Sequence, residues 1–294
     1  MSFTPNRRTL LATATAALAA AATTPAGAAD RTGATARLRA LEEEHGGRLG
    51  VYAHNLATRR TVRHRADELF PMCSLFKTLA AAAVLRDLDR DGEVLNSRLH
   101  YTEADLVDPV PDVIREHLSD GMTVAALAEL AITHSDNTAG NLLLRELGGP
   151  TAITRFARSL GDRVTRLDRW EPELNTAEPW RVTDTTSPAA IGRTYGRLVL
   201  GDALNRRDRE QLTEWLLRNT TSTARFRAGL PPAWTLGDKT GSGSYGTAND
   251  VGVAWTETGA PIVLSVLTTK PEQNAAWDNA LVAKTAKVLA ETLS

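Results

Sequence analysis

Stretches patterned as β-strands lie near both ends of this 294-residue chain and are nearly missing from its middle, and that distribution restricts the fold more than any other feature. Leu49, Val51 and Ala53 alternate as in a strand, and a second strand through Thr61 to His64 follows a turn near Ala57 to Arg59. The strand pattern returns only late, at Trp234 to Thr240, Asp250 to Trp255 and Ile262 to Thr268, with a Thr258-Gly259-Ala260 turn between the last two. Between these ends the periodicity is helical: Ser74 to Leu88, Val124 to Ile132, Asn137 to Leu147, Ile153 to Leu160, Pro188 to Leu200 and Arg209 to Leu217. A short helix over Arg37 to Glu44, closed by Gly46-Gly47, precedes the first strand. A terminal helix opened by Asn274 carries Val282, Leu289 and Leu293 on one face. The expected class is therefore α+β: an antiparallel five-stranded sheet flanked by helices, plus an inserted all-helical lobe. Residues 29–66 and 220–294 would form a discontinuous α/β lobe and residues 67–219 the helical one, with a ligand site between them.

The first 28 residues read as an export signal. Arg7 and Arg8 form a basic start, Leu10 to Ala22 is an apolar run, and Ala26-Gly27-Ala28 is a small-residue cleavage site. The adjacent arginines suggest the twin-arginine pathway, with an ordinary secretory signal as the alternative. The run is too short and Ala-rich for a lasting anchor. A secreted or periplasmic monomer without stable membrane association is expected. The formal net charge of −1 gives no footprint for nucleic acid or an anionic membrane. No cofactor is expected, and the six histidines show no metal-binding spacing. The single cysteine, Cys73, cannot form a disulfide within the chain. It reads as a small buried apolar side chain, with a catalytic thiol as the rival reading.

Four segments could carry chemistry. In Ser74-Leu75-Phe76-Lys77 the serine and lysine lie one helical turn apart, so Lys77 can reach the hydroxyl and help to activate it. Ser135-Asp136-Asn137 falls between two helices, where a serine could pass on a proton and an asparagine could hold an amide. Lys239-Thr240-Gly241-Ser242-Gly243, on the first late strand, offers a cation and hydroxyls to a substrate carboxylate. Glu171-Pro172-Glu173-Leu174-Asn175, in a polar loop from about Arg166 to Asp184, sets a carboxylate four residues from an amide, a pair able to position a water. Each also suits a plain structural role: a helix cap with a surface lysine, a second cap, an edge strand, a charged loop.

Together, in this order, the segments resemble the class A serine β-lactamases over the whole mature length, a family marked by Ser-x-x-Lys, Ser-Asp-Asn and Lys-Thr-Gly. Asp120-Gly121-Met122-Thr123, Ile132 to Asn141 and Arg166 to Asn175 strengthen the likeness. The resemblance implies hydrolysis of penicillins and cephalosporins through an acyl-enzyme on Ser74. Lys77 and Glu171, the latter through a water, are rival bases for acylation. Glu171 with Asn175 would serve deacylation, and Ser135 would protonate the lactam nitrogen. The backbone N–H groups of Ser74 and Ser242 would form an oxyanion hole. Asn137 would hold the acylamide, and Lys239, Thr240 and Ser242 the carboxylate, on the strand that includes Gly241. Asn141 and an Arg169–Asp184 ion pair would fix the glutamate loop. Many members carry an arginine where Ala248 stands, and Arg225 is the expected substitute. Pro109 replaces an aromatic residue that often walls the site. Penicillins and early cephalosporins are expected over carbapenems, because Gly243 cannot supply the cysteine that some carbapenem-hydrolysing relatives pair with the one at Cys73. A penicillin-binding DD-peptidase and a non-hydrolytic β-lactam sensor share several of these parts, but neither needs Glu171 with Asn175.

Overall fold

The structure is a computed structural model that describes Met1 and residues 26–294; the expected export signal up to residue 25 lies outside the described residues. Five strands, β1 (Arg48–Asn55), β2 (Thr61–His64), β3 (Thr235–Ser242), β4 (Ala248–Trp255) and β5 (Pro261–Thr269), form one sheet in the order β2-β1-β5-β4-β3. Every neighbouring pair is antiparallel. The joint between the two ends of the chain is the β1–β5 ladder, in which Val51 lies opposite Val266 and Ala53 opposite Leu264. The α+β class and the five-stranded sheet expected from the sequence are those observed.

Both faces of this sheet are covered, so its central strands are buried almost without interruption, more like those of a parallel sheet than of a hairpin. Alternation sorts the side chains between two cores. Leu49, Val51, Leu264 and Val266 meet Leu38, Phe226, Val282 and Leu289 from helices near the chain ends. Tyr52, Val251, Val253 and Val263 join the larger core of the helical middle, with Phe70, Tyr195 and Trp215.

Helix boundaries differ from the sequence reading in three places. The first helix, α1, spans Ala26–His45, well beyond the Arg37 to Glu44 segment. The stretch expected as one helix from Ser74 begins as a single 3-10 turn, Cys73–Leu75, runs as α2 over Phe76–Ala83, and widens into a π-type turn over Val84–Leu88. In that turn the Asp89 N–H donates to the Val84 carbonyl at 2.9 Å, and the Asp89 carboxylate accepts from the Leu95 N–H, so the wider turn delivers Asp89 into the core. The terminal helix spans Asn279–Leu293 and starts after Asp278, not at Asn274. The Asp278 carboxylate caps it by accepting from the Leu281 N–H, and His45 and Lys270 hold the same carboxylate at 2.9 and 3.0 Å. Among the described residues, no helix is long and apolar enough to cross a membrane.

Candidate active site

Two tight turns bring Ser74 and its neighbours together. Cys73 has φ +49° and Ser135 φ +59°, left-handed conformations uncommon for residues with a side chain. The first aims Ser74 out of the 3-10 turn. The second turns the chain between helix Val124–Thr133 and helix Asn137–Glu146, where the Asp136 carboxylate caps the latter by accepting from the Ala139 N–H at 2.6 Å. Lys77 runs along α2 beneath them and is fully buried. Gly140 leaves the room it needs, since a Cβ there would lie 2.8 Å from the Lys77 Cε.

The Lys77 ammonium donates to Ser74 Oγ at 2.9 Å, to the Ser135 carbonyl at 2.8 Å and to Asn137 Oδ1 at 2.7 Å, and lies 3.0 Å from Glu171 Oε1. Ser74 Oγ in turn donates directly to Glu171 Oε1 at 3.2 Å, a closer approach than the water-bridged one expected from the sequence. Glu171 is 3% exposed. The Asn175 side-chain amide donates to its Oε2. Its backbone is clamped on both sides by one side chain: the Asn141 amide donates to the Glu171 carbonyl at 2.9 Å and accepts from the Glu171 N–H at 3.0 Å. The loop is closed by Arg169, whose Nε lies 2.5 Å from Asp184 Oδ2, while Asp184 Oδ1 accepts from the backbone N–H groups of Asp168 and Arg169.

Strand β3 forms the opposite wall. Gly241 lets it pack against the turn that carries Ser74, because a Cβ there would lie 2.9 Å from the Met72 carbonyl. Arg225 reaches this wall through its guanidinium. It is 4% exposed and donates to the Gly241 and Asn249 carbonyls at 2.9 and 2.7 Å and to Ser242 Oγ at 2.6 Å. Asn279 Oδ1 accepts from its Nε at 2.8 Å. The cleft between the walls holds about 590 Å³ and is lined by Ser74, Ser135, Asn137, Asn175, Thr240, Ser242 and Arg225, among others. Lys239, on the same strand, is fully buried and donates to the Thr240 carbonyl at 2.8 Å. Burial, and after it the charge of Lys77, pushes the Lys239 ammonium well below the usual lysine range.

Cys73 touches the site without joining it. Its thiol is fully buried, and burial followed by the nearby Glu171 charge pushes it far up, away from the reactive thiolate. The sequence reading missed Thr221, Asn279 and Trp277. Thr221 Oγ1 lies 2.5 Å from Thr240 Oγ1, and all three residues line the cleft. Asn279 and Trp277 were hidden because the terminal helix was drawn through them; a cap at Asp278 was the one signal that would have placed them at its mouth.

Beneath the carboxylate wall lies a second charged pair, Asp238 and Asp250, both fully buried on adjacent strands. Burial raises both carboxyl groups, and the charge of Asp238 drives Asp250 well above the usual range, so burial favours the protonated form of the pair. A carboxyl raised in the folded state contributes stability that is complete below its unfolded value near pH 4 and is lost as pH rises through the folded value. Asp250→Asn is therefore expected to flatten the fall in melting temperature as pH rises from about 4 through the folded value, and to gain a few degrees above it. Thermal unfolding across that range checks this; an unchanged slope would show that the pair does not titrate.

Comparisons agree with this geometry. Residues 33–293 match the model of the β-lactamase enzyme family. A β-lactamase of Streptomyces albus G is 63% identical over 306 residues, covering 98% of each chain. The solved structure of the β-lactamase from Streptomyces albus G superposes with a TM-score of 0.88 at 67% identity, covering 89% of this chain and all of that one. A variant of a class A β-lactamase reconstructed as the last common ancestor of Gram-negative bacteria superposes with a TM-score of 0.84 at 51% identity, covering 88% and 97%. Sequence along nearly all the described residues, the sheet order and the cluster around Ser74 thus converge, and the chain belongs to the β-lactamase enzyme family as a class A serine β-lactamase.

Proposed function

We propose a division of labour for the β-lactam hydrolysis that this enzyme performs and through which it confers resistance. The observation that carries it is the buried contact of Ser74 with both Lys77 and Glu171. Ser74 Oγ attacks the lactam carbonyl carbon and loses its proton either to Glu171 or to Lys77 once the Lys77 ammonium has passed a proton to Glu171. Developing charge on the carbonyl oxygen is met by the backbone N–H groups of Ser74 and Ser242. The C–N bond breaks as Ser135 passes a proton to the nitrogen. Glu171, oriented by Asn175, then takes a proton from a water that attacks the Ser74 ester and releases the open acid. Asn137 receives the acylamide. Lys239, Thr240 and Ser242, with Arg225, receive the carboxylate.

This chemistry would take place in a cleft between an α/β lobe of residues 29–66 and 220–294 and a helical lobe of residues 67–219, a reading supported by a core built only of residues from the first of these. The molecule acts as an exported monomer on a small β-lactam. The paired Arg7 and Arg8 ahead of an apolar run support export by the twin-arginine route.

The test is turnover of benzylpenicillin by the purified chain and by Arg225→Ala. Wild type opens the ring. The variant is expected to lose about ten- to a hundredfold in kcat/KM through a raised KM, as for one charge-assisted contact. The methyl ester of the same penicillin, which lacks the carboxylate, should respond far less. Equal losses on both would make Arg225 a purely structural residue tying Gly241 to Asn249.

A further inference from the structure

One aromatic side chain among the described residues lines the cleft, and the hydrolysis gives it no task. Trp277 is 56% exposed, yet it is held in place. Its indole N–H donates to the Gly243 carbonyl at 2.9 Å, just past the end of β3. Its backbone precedes Asp278, which caps the terminal helix and is bound by His45 and Lys270. Two residues on, Asn279 receives the Arg225 guanidinium. A lone exposed tryptophan needs no explanation. One that is pinned at an active-site mouth, beside the groups assigned to the substrate carboxylate, presents a fixed aromatic face to whatever is carried there. Another exposed tryptophan, Trp180, packs edge-on against Tyr245 at 5.4 Å and does not line the cleft. Across the cleft stands Pro109, where relatives often carry an aromatic residue, so the flat apolar surface of this site lies on the sheet side.

We propose that Trp277 is a specificity-determining residue whose indole receives flat apolar or aromatic substituents borne on the substrate ring beside the carboxylate. The assignment rests on the reading that Thr240, Ser242 and Arg225 hold that carboxylate. A preformed aromatic wall gains contact area and a favourable quadrupole arrangement without ordering a mobile loop. The contact is remote from the breaking amide bond, so it is made equally in ground and transition states and acts on KM rather than kcat.

The experiment compares nitrocefin with cephalothin, which share the thienylacetyl side chain and differ at the ring position beside the carboxylate: a dinitrostyryl group in one, an acetoxymethyl group in the other. Trp277→Ala should lower kcat/KM for nitrocefin about three- to tenfold through KM, the worth of one aromatic pair. Cephalothin should change by less than about twofold, and Trp277→Phe should recover most of the nitrocefin loss. Thermal unfolding of the variants checks that the exposed position leaves the fold intact. Parallel losses on both substrates, no loss on either, or a loss confined to kcat would each overturn the assignment. Failure of the wild-type enzyme to open either compound would instead count against the hydrolytic reading itself.

Discussion

Glu171→Ala should turn the enzyme from a catalyst into a trap, leaving benzylpenicillin esterified to Ser74. Hydrolysis of that ester needs a water deprotonated and held on the correct face. Glu171 is built for this more rigidly than a loop carboxylate needs to be: Asn175 donates to its free oxygen, Asn141 clamps its backbone at 2.9 and 3.0 Å, and Arg169 with Asp184 closes the loop. A positioned general base contributes roughly 10²–10⁴-fold, enough for a deacylation defect to make the adduct persist. Mass spectrometry of the variant mixed with benzylpenicillin reads the result on the Ser74 peptide. The same measurement separates the two proposed acylation bases, since Ser74 Oγ donates to Glu171 at 3.2 Å and accepts from the Lys77 ammonium at 2.9 Å. Rapid labelling that persists assigns acylation to Lys77. Absence of labelling with intact ligand binding assigns it to Glu171 as well. Turnover at the wild-type rate would remove Glu171 from the mechanism.

The second large effect is expected at the nucleophile. Ser74→Ala should abolish turnover, a loss on the order of 10⁶-fold by analogy with removal of a serine nucleophile from another hydrolase. The hydroxyl is the shared partner of Lys77 and Glu171, so its removal leaves both bases without a group to activate. Cys73→Ala is the matched control one residue away. That thiol is buried and held protonated by burial and by the Glu171 charge, so its loss should spare most of the activity. Steady-state rates with benzylpenicillin decide the matter. Near-wild-type turnover by Ser74→Ala, or loss of acylation in a well-folded Cys73→Ala, would shift the chemistry to the thiol.

The sequence by itself determined the class of fold and the segments that carry the chemistry, because both are recorded in local patterns. Alternation in Leu49-Val51-Ala53 and in the three late segments names the strands, and helical spacing alone puts Lys77 one turn from Ser74. What lies between segments was not legible in this way. The alternation could not tell that both faces of the sheet are covered, since that depends on helices distant in sequence folding over it. Nor could the motifs tell that Arg225 reaches Ser242, or that Asn279 completes the guanidinium's partners. The boundary of the terminal helix turned on Asp278, whose role as a cap is shared with ion pairs to His45 and Lys270, two residues that approach it only in the folded chain. The buried Asp238–Asp250 pair belongs to the same category: each residue alone reads as an ordinary surface carboxylate, and only the β3–β4 register joins them out of water, where two like charges cannot both be borne. Local spacing fixes which groups a helix or strand can present, whereas desolvation and the meeting of distant charges are set by packing.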